Sequence, residues 1–144
     1  MVDADVITLK LGELARRIAR VDEHYLPAAP AFPANQDSQE IIAFNLMLSV
    51  QVCADIASHI ISDEGWPPAA TLAEGFKRLA EHGVITEALA QTLSQAVGLR
   101  NVVAHGYARI NLQHLHAAAA RGVEDLREYT RQVAQWVSAR TSGS

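Results

Sequence analysis

Residues 112–136 read LQHLHAAAARGVEDLREYTRQVAQW, and this stretch decides the fold. Within it Leu112, Leu115, Ala119, Gly122, Leu126, Tyr129, Val133 and Trp136 alternate steps of three and four. Such steps keep side chains on one face of a 3.6-residue helix, so the pattern predicts a long amphipathic helix with a single apolar stripe. Asn111 can cap its start, and Thr141 to Ser144 form a polar tail expected to be disordered. A helix with one apolar stripe must bury it against other elements, so the rest of the chain should supply partners of the same kind.

It does. Between about Asp5 and Tyr25, the residues Ile7, Leu11, Leu14, Ile18, Val21 and Tyr25 repeat the alternation. That heptad spacing fits a coiled coil or a helix facing a core. Pro27, Pro30 and Pro33 then forbid helix and mark a connector. A second helix should begin at Asp37 or Ser38 and run to about Asp63, with Ile41, Phe44, Leu48, Val52, Ile56 and His59 as its core stripe. Gly65-Trp66-Pro67-Pro68 breaks the chain again. Thr71-Leu72-Ala73-Glu74 has the capping-box form, so a short helix starts there, turns Phe76 and Leu79 inward and stops at His82-Gly83. Thr86 caps a fourth long pattern through Leu89, Leu93 and Val97. The sum is an all-α, up-and-down helical bundle of four longer helices and one short one, forming a single domain over residues 1–140.

Composition narrows the function classes. Aromatics make up only 6% of the chain, which favours helices over sheet. The single cysteine, Cys53, cannot form an intramolecular disulfide and reads as a small buried hydrophobe. Asp3 and Asp5 stand where a signal peptide would be basic. The tract from Ile41 to Val50 is too short to span a bilayer, so no membrane role and a cytoplasmic location are expected. There is no Gly-rich phosphate loop, His-Glu-x-x-His, cysteine pair or nucleophile elbow. His114 and His116, two residues apart, point in different directions on a helix; neither a metal site nor a cofactor is expected.

Net charge is −4, yet no Asp or Glu occurs from Ala88 to Val123, a window that holds Arg100, Arg109 and Arg121. An acidic protein with such a segment can present a local positive field to a phosphate. The window also fits a solvated helix face whose acids lie elsewhere. Its centre is Arg100-Asn101-Val102-Val103-Ala104-His105-Gly106-Tyr107. On a helix Arg100 and Tyr107 share a face, with Asn101 and His105 beside them, while Leu99, Val102, Val103 and Ile110 cluster opposite. Gly98 and Gly106 bracket the segment, where a kink or a close backbone approach costs least. Asp55, beside the core stripe of the second helix, matters to this cluster only if it can reach Arg100.

Arginine and histidine suit phosphodiester cleavage of RNA without a metal. RNA carries its own nucleophile, the 2′-hydroxyl, so a protein need only move protons and stabilise charge. Histidine titrates near neutrality and can take or return a proton. Arginine offers a planar fork to phosphate oxygens. Each contribution is worth roughly 2–5 kcal/mol of barrier in enzymes where it operates. The same spacing also arises in helices with no chemistry.

Arg100-x-x-x-x-His105-x-Tyr107, with Asn101 after the arginine and Val97-Gly98-Leu99 before it, resembles the signature of the HepT-like toxins of the HEPN superfamily. Asp55-Ile56-Ala57-Ser58-His59 resembles part of that family's second helix, and Phe76 to Ile85 the stretch that follows; Asn111 stands where an aspartate is common. The resemblance spans about residues 3 to 138. It implies a HEPN-like bundle that forms a homodimer, with the two motifs facing one another across a cleft. Arg100 and His105 would be the catalytic core of a metal-independent endoribonuclease acting on an RNA substrate, with Asn101 ordering the site. Asp55 and His59 would support the arginine from the neighbouring helix. Tyr107 would be the position that an MNT-type nucleotidyltransferase antitoxin modifies with AMP. Some members of the superfamily are instead non-catalytic nucleotide-binding or substrate-binding partners of a nucleotidyltransferase, and a purely structural bundle that oligomerises through its helix stripes is a third reading.

Overall fold

A computed structural model describes residues 3–25, 36–106 and 112–142, save the side chains of His105, 112–114 and 141–142. The described residues form five helices: α1 (Ala4–His24), α2 (Gln36–Glu64), α3 (Leu72–Glu81), α4 (Glu87–Gly106) and α5 (Leu112–Ser142). The chain is an all-α bundle. α5 continues two residues into the expected tail.

Local chemistry sets the helix starts. The Asp3 carboxylate accepts hydrogen bonds from the backbone N–H groups of Asp5 and Val6, so α1 begins one residue before the predicted start. The Thr71 hydroxyl accepts from the Glu74 N–H at 3.1 Å, while the Glu74 carboxylate reaches back to the N–H of Ala70, one residue beyond the usual capping-box partner. Thr86 caps α4 by accepting from Leu89. α3 ends at Gly83, whose φ of 76° is the left-handed conformation that glycine adopts freely.

The centre of the bundle is α2, which packs against all four other helices. It alone among the described helices is long and apolar enough to cross a membrane, and 61% of its most apolar window is buried inside the bundle. Burial on several sides also corrects the predicted stripe. Val52 and Ile56 are in the core, but Ile41 and Leu48 are half-buried, His59 is exposed and Phe44 is 52% exposed. The core is carried instead by the broad opposite face, Ile42, Leu46, Cys53, Ala57 and Ile60 among them. A helix rich in apolar residues all round has no single stripe to read, so periodicity could not choose the face.

On α1, Ile7, Leu14, Ile18 and Val21 are buried, with Leu11 and Tyr25 at the edge of the core. On α5, Leu115, Ala119, Leu126, Tyr129 and Val133 are buried as predicted, and Trp136 packs at the edge. Tyr129 is fully buried and its hydroxyl donates to the backbone carbonyl of Cys53 at 2.8 Å, which satisfies the phenol in the core. α4 runs unbroken through Gly98, where an added Cβ would meet nothing within 4 Å. Neither a kink nor a close approach explains that glycine.

Candidate active site

α4 carries the motif because its first half is anchored. Leu93 is in the core, and Leu99 and Val103 pack against it further along. This fixes the rotation of the helix and brings Arg100 to the seam with α2. Arg100 is half-buried, and its Nη2 donates to Gln51 Oε1 at 2.9 Å across 49 residues of sequence. Its Nη1 donates to Asn101 Oδ1 at 3.0 Å. Gln51 in turn donates from Nε2 to Asp55 Oδ1 at 3.4 Å, one turn along α2. A connected run of polar groups therefore leads from Asp55 through Gln51 and Arg100 to Asn101.

Arg100, like Arg17, which donates to Asn45 Oδ1 at 3.4 Å, bonds an amide and not a carboxylate. Arg20, Arg78, Arg127, Arg131 and Arg140 each pair with a carboxylate, whereas no ion pair to Arg100 is found among the described residues. Its two bonded acceptors are neutral amide oxygens, so its full charge is kept. Its Nε is buried with no hydrogen-bond partner among the described residues, a feature shared with Arg17 Nε. A half-buried arginine with unused N–H groups can receive an anion.

Asp55 reaches Arg100 only through Gln51, an intermediary that the sequence reading did not pick out. The one signal for it was a Gln four residues before an Asp, the spacing of one helical turn. His59 is exposed, and no bond among the described residues ties it to Arg100. Asn101 is exposed and sits beside the guanidinium it accepts from. Val102 is 40% exposed, so it does not join Leu99 and Val103 on an inward face. That expected clustering gives way because the seam with α2 takes the Arg100 side of the helix. The backbone of His105 lies in α4, five residues on from Arg100. The His105 side chain, Tyr107, Ile110 and Asn111 lie outside the described residues.

Cys53 offers no competing nucleophile: burial pushes its thiol well above the ordinary range, which keeps it protonated. Among the described residues, no three of His, Cys, Asp and Glu converge as a metal-binding group.

The family model described as "Ribonuclease HepT-like" matches residues 14–133. The chain belongs to the HepT-like family. Two HepT-like relatives have assigned activities. The "mRNA nuclease HepT" of Shewanella oneidensis is 28% identical over 125 residues, covering 87% of this chain and 93% of the relative. The "tRNA nuclease HepT" of Aphanizomenon flos-aquae is 28% identical over 132 residues, covering 92% and 90%. A solved structure of the tri-AMPylated Shewanella oneidensis HEPN toxin in complex with MNT antitoxin superposes with a TM-score of 0.85 at 26% identity, covering 92% of this chain and 99% of that one.

Proposed function

We propose that this chain is a metal-independent endoribonuclease toxin in which Arg100 and His105 do the chemistry. The observation that carries the reading is the half-buried Arg100 guanidinium, held by two neutral amides with N–H groups left for an anion. His105 accepts the proton of the RNA 2′-hydroxyl as its oxygen bonds to the adjacent phosphorus. Arg100 stabilises the extra charge on the phosphoryl oxygens. The bond from phosphorus to the 5′-oxygen then breaks, and that oxygen takes a proton, leaving a 2′,3′-cyclic phosphate and a 5′-hydroxyl. The names of the two nuclease relatives support RNA as the substrate class.

A homodimer is part of this reading. One motif on a convex helix surface grips a strand poorly, and two copies make a cleft. On the Gln51 side of α2, the exposed Phe44 and the half-buried Leu48 offer apolar surface for a second copy. An MNT-type nucleotidyltransferase is the proposed antitoxin, and Tyr107 the AMP acceptor, by likeness to the AMPylated toxin complex. The added phosphodiester would compete with RNA for Arg100.

The test is cleavage of single-stranded RNA by purified protein in excess EDTA. Wild type is expected to cut and leave cyclic-phosphate ends, while Arg100→Ala and His105→Ala stay folded and lose cleavage. A requirement for a divalent ion, or cleavage by the double variant, would overturn the mechanism. Co-expression with a cognate MNT-type nucleotidyltransferase should add AMP by mass to wild type and none to Tyr107→Phe.

A further inference from the structure

Five arginines in this bundle hold a carboxylate directly. Arg100 has a carboxylate within reach of its own network, Asp55, and yet an amide stands between them. We propose that Gln51 is the positioning residue of Arg100: a neutral clamp, locked in orientation by Asp55, that fixes the plane of the guanidinium without cancelling its charge. The proposal rests on the reading of Arg100 as the phosphate-binding arginine.

Donor and acceptor chemistry sets the orientation of the clamp. Arginine only donates and an ionised aspartate only accepts. A glutamine between them therefore has one workable orientation, oxygen toward Arg100 and NH2 toward Asp55, and that is the orientation found. The aspartate removes the amide flip that would otherwise turn an NH2 group against the guanidinium. Asn101 takes a second N–H from the other terminal nitrogen, so two of the five N–H groups are used and the plane is defined at both Nη atoms. Of the rest, the Nε–H is buried with no partner among the described residues, which leaves the second N–H of each Nη for an anion.

A carboxylate at position 51 would hold the arginine at least as firmly, but as an ion pair. An ion-paired guanidinium attracts a phosphate weakly, because the field of the pair is largely dipolar. An apolar residue there would leave the charge intact and the geometry loose. Only a neutral acceptor gives both order and charge. This separates Gln51 from the five surface pairs, which have order or solvent contact and no free charge to offer.

The decisive variant is Gln51→Glu, which keeps size and reach. At neutral pH its carboxylate pairs with Arg100, and cleavage should fall roughly tenfold to a hundredfold, mostly as a higher KM. When protonated, the new side chain again accepts through its carbonyl oxygen and donates through O–H to Asp55, the same pattern as glutamine. Pairing with Arg100 holds that protonation below about pH 5, so the deficit of Gln51→Glu against wild type should persist from about pH 8 to about pH 5. A residue that merely packs would tolerate this change of equal size and show no deficit. Gln51→Ala should lose a similar factor at every pH. Asp55→Ala should lose several-fold, and Asp55→Asn, which keeps an acceptor, should recover most of it.

A readout independent of cleavage accompanies these. By NMR, rotation of the Arg100 guanidinium should be slow in wild type and in Gln51→Glu, and fast in Gln51→Ala. Equal rotation rates in wild type and Gln51→Ala, or wild-type cleavage by Gln51→Glu at neutral pH, would overturn the clamp. If wild type cuts no RNA under any condition, the proposed function falls, and the rotation rates alone then decide whether Gln51 holds Arg100.

Discussion

Gln51 and Cys53 stand two residues apart on α2 and face opposite sides of it. On the Cys53 side everything is closed. The thiol is fully buried, and the Cys53 carbonyl takes the hydroxyl of a tyrosine that is itself fully buried. On the Gln51 side the polar groups are held but not used up: Gln51 orders Arg100, and Arg100 keeps unspent donors. The contrast shows how one helix serves both the core and the candidate site. Its sealed face supplies the stability, so its open face can tolerate a half-buried charge without a counter-ion, which costs folding energy.

If the two faces are independent, breaking the sealed one should cost stability and leave chemistry intact. The largest effect is expected from Tyr129→Ala, which empties a core site beside Phe76 and should destabilise the fold by about 3–5 kcal/mol in denaturant titration. Under conditions where this variant remains folded, its rate of RNA cleavage per folded molecule should match wild type. A collapse of cleavage in the folded variant would show that the faces are coupled.

A sharper comparison places the same residue on each side. Cys53→Ser puts a hydroxyl into the sealed face and should cost about 1–3 kcal/mol. Phe44→Ser replaces a side chain that is 52% exposed, and should change the stability of the single chain by no more than about 0.5 kcal/mol. Its effect should appear instead in sedimentation, as weaker association of the proposed homodimer. Equal costs in unfolding for the two serines would erase the distinction between the faces.

The smallest effect concerns Asp125 on α5, which shares a groove with Leu46 and Val50 of α2. Burial raises its carboxyl pKa, Glu124 adds to the rise, and Arg121 opposes it. A raised folded-state value means that the fold disfavours the charged form, a cost present above the carboxylate range and absent below the unfolded-state value. Asp125→Asn should therefore stabilise slightly at neutral pH, and the gain should vanish as pH falls through that range. A gain that persists at low pH would assign the effect to packing instead of charge.

What the sequence determined by itself was local. The alternation along residues 112–136 and 7–25 gave two helices and their inward faces, because a helix repeats every 3.6 residues whatever surrounds it. Thr71, Thr86 and Gly83 marked helix ends because caps act on neighbouring backbone groups. Arg100 with Asn101, and its likeness to the HepT-like motif, were legible because those residues are consecutive or one turn apart. The tertiary structure decided which side of α2 is core, since a helix apolar on most sides carries no phase of its own and its neighbours choose the face. It also decided which residue holds the arginine. Gln51 and Arg100 are 49 residues apart, and nothing in either local pattern encodes the rotation of α4 against α2 that brings them within 2.9 Å. That rotation is fixed by Leu93, Leu99 and Val103 packing into the shared core, a sum over many contacts that no single stretch of sequence records.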